Sequence, residues 1–183
     1  MIVLGIDPDL HTIGFGMVDG ITPLWVGSTR VPREIKGDSA LEALPGAVER
    51  VLGRLIQSGA QTPDLVVVET QRYHQRKGAD VHDIMRLSCS TGICLGQCRA
   101  LWDVPQQLAT TSAWKGDVPK AIHQARFMKK FFGWEVDQLK SYSRPVEDMK
   151  HWLAGSEHLS KSDWKHVGDA LGLALFGSVG KRV

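Results

Sequence analysis

The hydrophobic pattern opens with Ile2–Ile6, a run with the continuous apolar character of a central strand. It stops at Asp7-Pro8-Asp9, and apolar residues resume over Ile13–Val18. Gly14 and Gly16 inside that second run mark a place where another backbone would approach closely. Gly20 turns the chain, and Pro23–Val31 reads as a third strand. Connections this short predict three antiparallel strands in a meander. From Ser39 to Ser58 the period changes, and Leu41, Leu44, Val48, Val51, Leu52 and Leu55 fall on one helical face. Pro45 either kinks this helix or marks its start. Asp64–Glu69 is another buried strand, and residues 79–101 form a long helix rich in small residues from Ser88 to Gly96. Val104–Leu108 predicts a short strand, and Pro119–Phe132 a basic helix closed by Gly133. Residues 134–160 read as polar and irregular, and residues 161–177 as a final amphipathic helix. Ser160 and Asp163 have capping-box spacing at its start. The order βββαβαβα is α/β, and without repeats or linkers residues 1–183 are expected to form one domain.

Composition narrows the function classes. With 183 residues and 43% apolar content the chain can bury a sizeable core. No run reaches the length of a membrane helix, and the N-terminus lacks a basic, then apolar leader, so a cytoplasmic protein is expected. Cys89, Cys94 and Cys98 give neither a disulfide frame nor a paired zinc motif, and read as small buried thiols. Net charge is only +2, but its distribution is uneven. Residues 1–70 hold 5 basic and 9 acidic side chains, residues 71–130 hold 10 and 4, and residues 131–183 hold 7 and 7. A basic middle beside acidic strand ends suits an enzyme acting on a phosphodiester, although a solvated face would look similar.

Two buried strands end in carboxylates, Asp7 and Glu69. Asp-Pro-Asp is also good turn chemistry, so the first acid alone decides nothing. If the two strands are neighbours, however, their ends lie side by side and the like charges need a counter-ion. Hard oxygen ligands suit magnesium or manganese. Asp163, His166 and Asp169 recur at intervals of three along the last helix, with His166 and Asp169 on one face. Asp169 runs into the apolar stretch "ALGLALFG", so it should be partly buried and in need of a partner.

"GIDPDLHTIGFG", "VVVE" and "HVGDALGLALF", in that order, resemble the RuvC family of Holliday junction resolvases. The resemblance runs from residue 3 to about 177. It implies an RNase H-like fold, with a mixed five-stranded sheet, the first three strands antiparallel, and helices on both faces. It also implies divalent-metal-dependent cleavage of four-way DNA junctions by a homodimer, using two magnesium or manganese ions. Asp7, Glu69, His166 and Asp169 would be the metal-binding catalytic residues. "TTSAWKGDVPK" resembles the family's basic segment near the scissile phosphate, with Lys115 and Lys120 as candidates and Lys120 preferred as catalytic. Arg72, Tyr73, Arg76 and Lys77 would meet the DNA, and the small-residue helix 79–101 would make the dimer contact unless it packs only within its own domain. Asp9, where the cellular enzymes carry glycine, is an outer carboxylate or a turn residue, and this and the long 134–160 stretch suggest a phage-type or divergent branch. Three other functions stay open: a nuclease for other branched DNA, a YqgF-like nuclease for RNA, and an inactive junction-binding protein. Actin-like ATPases, which also begin with a strand ending in GID, need a second copy of the sheet for which 183 residues leave no room.

Overall fold

Alternation along the strands sorts their side chains onto two faces of one sheet. The computed structural model describes residues 1–70, 80–116, 153–160 and 162–180. The strands are β1 (Ile2–Asp7), β2 (Thr12–Asp19), β3 (Thr22–Arg30), β4 (Leu65–Thr70) and β5 (Gln106–Thr110), in the spatial order β3-β2-β1-β4-β5. β1, β2 and β3 are antiparallel in sequence, while β4 runs parallel to β1 and β5 parallel to β4. The sheet is therefore mixed and five-stranded, with its first three strands in a meander, as expected.

Leu4, Ile6, Phe15, Met17, Val66 and Val68 point to one face. Against them lie helices α1 (Asp38–Gln57) and α2 (Val81–Leu101), which also pack on each other. Pro45 sits inside α1 and does not mark its start. Val3, Val18, Val26 and Val67 point to the other face, which is covered by the last helix, α4 (Trp164–Val179). A four-residue helix, α3 (Thr111–Trp114), follows β5 directly.

Glycines set how closely α4 lies on the sheet. A Cβ on Gly5 would run into the Ala170 carbonyl, one on Gly14 into the His166 backbone, and one on Gly16 into Leu171. All three contacts involve helix backbone, which cannot yield as a side-chain end can. The close approach expected at Gly14 and Gly16 is thus made by the helix that carries His166 and Asp169.

Several details differ from expectation. β5 spans 106–110 rather than 104–108, because Pro105 offers no N–H to the ladder; Ala109 is the buried residue of the strand, and Val104 packs against the core from just outside it. α4 begins after Asp163, three residues later than expected. Ser160 forms no reciprocal capping box: its backbone N–H donates to Asp163 Oδ2 (2.8 Å), while its hydroxyl is taken by Arg30 (2.6 Å). Cys94 and Cys98 are buried free thiols, but Cys89 is exposed, since it faces away from α1 and the sheet. The expected basic helix 119–132, most of 134–160, and Lys120, Arg72, Tyr73, Arg76 and Lys77 lie outside the described residues.

Candidate active site

The C-terminal ends of the parallel strands β1, β4 and β5 lie along one edge of the sheet, where α/β sheets commonly place their ligand sites. Ile6 pairs with Val68, so Asp7 and Glu69 each follow by one residue. With a side-chain period of two, Asp7 shares the face of Val3 and Gly5, and Glu69 that of Val67. That is the face on which α4 lies. The strand geometry thus delivers two carboxylates beneath the first turns of α4.

α4 brings His166 and Asp169 to the same place. His166 Nδ1 lies 2.8 Å from Asp7 Oδ2, and its Nε2 lies 3.7 Å from Asp9 Oδ2. Asp7 also pairs with Gly14 across the β1–β2 ladder, and Gly14 is where the sheet meets the His166 backbone. Lys115, which follows α3, donates from Nζ to Asp169 Oδ1 at 3.0 Å, and its ammonium stands 4.9 Å from the Trp114 ring centroid. Thr111 Oγ1 donates to Glu69 Oε1. Asp7, Glu69, Lys115, His166 and Asp169 are all at most 8% exposed, yet they line an open pocket of about 480 Å³.

Asp9 lines this pocket too, while its Oδ1 accepts from the Leu10 N–H at 2.6 Å. It is a turn residue and a pocket carboxylate at once. Ser90 on α2 fixes this turn by donating to the Asp9 carbonyl (3.0 Å).

The electrostatics are those of a crowded acidic site. Burial first, then the charge of Asp7, pushes the Glu69 carboxyl up to about 8, with Asp169 adding to the rise and the Thr111 hydroxyl opposing it. Burial works against the Asp163 carboxylate as well, but the Ser160 N–H and the Arg30 guanidinium hold its pKa below the ordinary value. In contrast, Cys98 is an inert thiol, pushed up to about 12 by burial alone.

Among the described residues, no three His, Cys, Asp or Glu side chains already stand as a formed ligand cage. The donor set nevertheless fits a divalent cation. Three buried carboxylates and one imidazole converge, and burial together with the neighbouring Asp7 and Asp169 charges raises the proton affinity of Glu69, a cost that a bound cation would relieve.

Among the described residues the structure therefore brings together Asp7, Glu69, Lys115, His166 and Asp169, while Lys120 lies outside them. Thr111 and Trp114 were not singled out from the sequence. Their signal was position: both directly follow β5, the third parallel strand ending at this edge.

A mixed sheet of this order, with strand-end carboxylates facing a late helix, is the RNase H-like arrangement. Solved structures of that fold are similar to the chain. Thermus thermophilus RuvC in complex with Holliday junction substrate is similar over 96% of this chain and 90% of that one, at 18% identity and a TM-score of 0.58. A second structure of Thermus thermophilus RuvC is similar over 99% and 98%, at 18% identity and a TM-score of 0.51. The yeast mitochondrial Holliday junction resolvase Ydc2 is similar over 96% and 79%, at 11% identity and a TM-score of 0.47. No protein-family model and no curated protein matches the chain. The fold is that of the RuvC resolvases, and likeness at 18% identity establishes the fold.

Proposed function

We propose that this chain is a divalent-metal-dependent endonuclease that resolves four-way DNA junctions. The observation that carries the reading is the convergence of Asp7, Glu69, His166 and Asp169 at the ends of β1 and β4 under α4, on a fold shared with a RuvC solved with a Holliday junction. The reaction adds water across a phosphodiester and breaks the P–O3′ bond, leaving a 5′ phosphate and a 3′ hydroxyl.

Asp7, Glu69, Asp169 and His166 would hold one or two magnesium or manganese ions. Such ions supply stabilisation of negative charge on the attacking and leaving oxygens. Glu69 must first give up the proton that burial and Asp7 favour. His166, held by Asp7, must present a nitrogen lone pair, which only the neutral ring has. Lys115 sits where it can neutralise charge developing on the phosphate, with Trp114 beneath it limiting its motion. Lys120 remains a second candidate for that role, and Arg72, Tyr73, Arg76 and Lys77 remain candidate junction contacts.

A four-way junction has two-fold symmetry, and paired cuts call for two sites related by the same symmetry. The outward side of α2 supports a homodimer. Val81 and Met85 are exposed there, and Gly92 and Gly96 leave open space where a Cβ would stand. The whole chain, residues 1–183, would be one nuclease domain. Among the described residues no helix is long and apolar enough to cross a membrane. The test is a titration of magnesium and of manganese against a synthetic four-way junction, with linear duplex and an RNA–DNA hybrid alongside. Metal-dependent paired nicks in the junction alone support the proposal. Cleavage of the hybrid in preference would move the reading to RNA.

A further inference from the structure

Linear charge made the first third of the chain the acidic one, but the fold regroups its cations. Four of the five basic residues before residue 71, Arg30, Arg33, Arg50 and Arg54, line two adjoining grooves on the α4 and β3 side of the site. The first groove, of about 570 Å³, shares Asp9 and His166 with the active-site pocket and is walled by Arg30, Arg33 and Lys165. The second, of about 500 Å³, shares Arg30 with the first and is walled by Arg50, Arg54 and His158. The three concavities thus form one path, running from the carboxylates across the end of β3 onto α1.

The acids on this path leave the cationic charge dominant. Asp163 is taken by Arg30, at 2.7 Å. Asp9 faces His166 and the active-site pocket. Glu34 is the remaining carboxylate wall. Against it stand Arg33, Arg50 and Lys165, all exposed and without an ion pair among the described residues. Arg54 is different, since it donates to the Ser28 carbonyl (2.9 Å) and is fixed in place. Exposed, unpaired guanidinium groups strung along an open groove suit a row of phosphates. A compact anion would call for one closed cluster.

We propose that this groove is a track for the sugar–phosphate backbone of a duplex arm leaving the active site. The inference rests on the junction-nuclease reading and adds to it a second DNA surface, built from residues outside the basic middle of the sequence. Arg33 and Arg50 make phosphate contacts only, so they contribute affinity and arm placement without touching the scissile bond. The track favours substrates whose arms are long enough to reach α1.

The experiment compares the full-length protein with its Arg33→Glu/Arg50→Glu and Arg33→Lys/Arg50→Lys variants. Binding is read by fluorescence anisotropy in EDTA over a salt series. One four-way junction has long arms, and the other has arms of only a few base pairs. The melting temperatures of the three proteins are compared first, and because both arginines are exposed they should agree. Loss of two phosphate contacts should flatten the slope of log affinity against log salt by about 2 on the long-arm junction. The short-arm junction should show no change, and the lysine pair should behave as wild type. Equal slopes for wild type and the glutamate pair on long arms overturn the track, as does an equal loss on both junctions. Failure of the underlying reading looks different: wild type would cleave no junction with magnesium or manganese, whatever the slopes.

Discussion

Glu69→Gln should make the metal-free protein more stable at alkaline pH while removing its cleavage activity. In the native state burial and Asp7 raise the Glu69 carboxyl from its ordinary 4.5 to about 8. Between those two pH values the unfolded chain has released a proton that the folded chain retains, so stability must fall as pH rises through the window. At about 1.36 kcal/mol for each pH unit, the rise sets a ceiling of ~5 kcal/mol on the loss. Shared protons and water entering the open pocket should reduce it to about half. The amide is nearly isosteric, stays neutral, and keeps an oxygen for the Thr111 hydroxyl. Urea denaturation in EDTA at pH 5, 7 and 9 should show the variant close to wild type at pH 5. At pH 9 it should be ~2–3 kcal/mol more stable, a rise in Tm of about 5–10 °C at this chain length. Magnesium in place of EDTA should recover most of the difference for wild type, because a cation replaces the proton. Parallel stability curves across pH, or a variant less stable at pH 9, would refute this account of a carboxylate awaiting a cation.

Four further outcomes follow from the geometry. Lys115→Ala should lower the cleavage rate by roughly 100-fold, within the range known for removing one charge-stabilising donor, while junction affinity in EDTA changes little. His166→Asp should retain cleavage but shift preference from manganese toward magnesium and extend activity to lower pH, since a carboxylate loses its proton below the imidazole range; identical metal preference and acid limb in both proteins would make His166 a bystander. Gly14→Ala should destabilise the fold by about 2–3 kcal/mol in urea, because the added methyl meets the His166 backbone rather than a yielding side chain. Arg30→Ala should cost ~1–2 kcal/mol, because it leaves buried Asp163 with the Ser160 N–H but without its cation, and half-exposed Arg30 limits the loss.

How much of this was legible from residues alone depends on whether the cause is local. β1 and β4 are uninterrupted apolar runs, so their strands, their carboxylate ends and their adjacency could be read directly. The glycines of β2 announced a close neighbour without naming it; the neighbour is α4, and the contact levels His166 with Asp7. The end of β5 was misplaced because Val104 resembled a strand residue, although the ladder begins only after Pro105. With β5 ending at Thr110, residues 111–115, including the candidate Lys115, start at the same sheet edge as Asp7 and Glu69. The arginine groove was illegible for a deeper reason. Arg30, Arg33, Arg50 and Arg54 come from a strand end, a loop and a helix within a net-acidic segment, and only tertiary folding places them side by side.

The most direct test of the central claim uses one four-way junction, labelled on opposite strands, with wild-type protein and its Asp7→Asn, Glu69→Gln and Asp169→Asn variants. Binding is measured in EDTA, and cleavage after magnesium or manganese is added. The account predicts that wild type makes paired nicks leaving ligatable 5′ phosphate and 3′ hydroxyl ends, and that each variant binds the junction as wild type does but leaves it uncut. Robust nicking by any one variant would remove that carboxylate from the site, and metal-independent nicking by wild type would contradict the account as a whole.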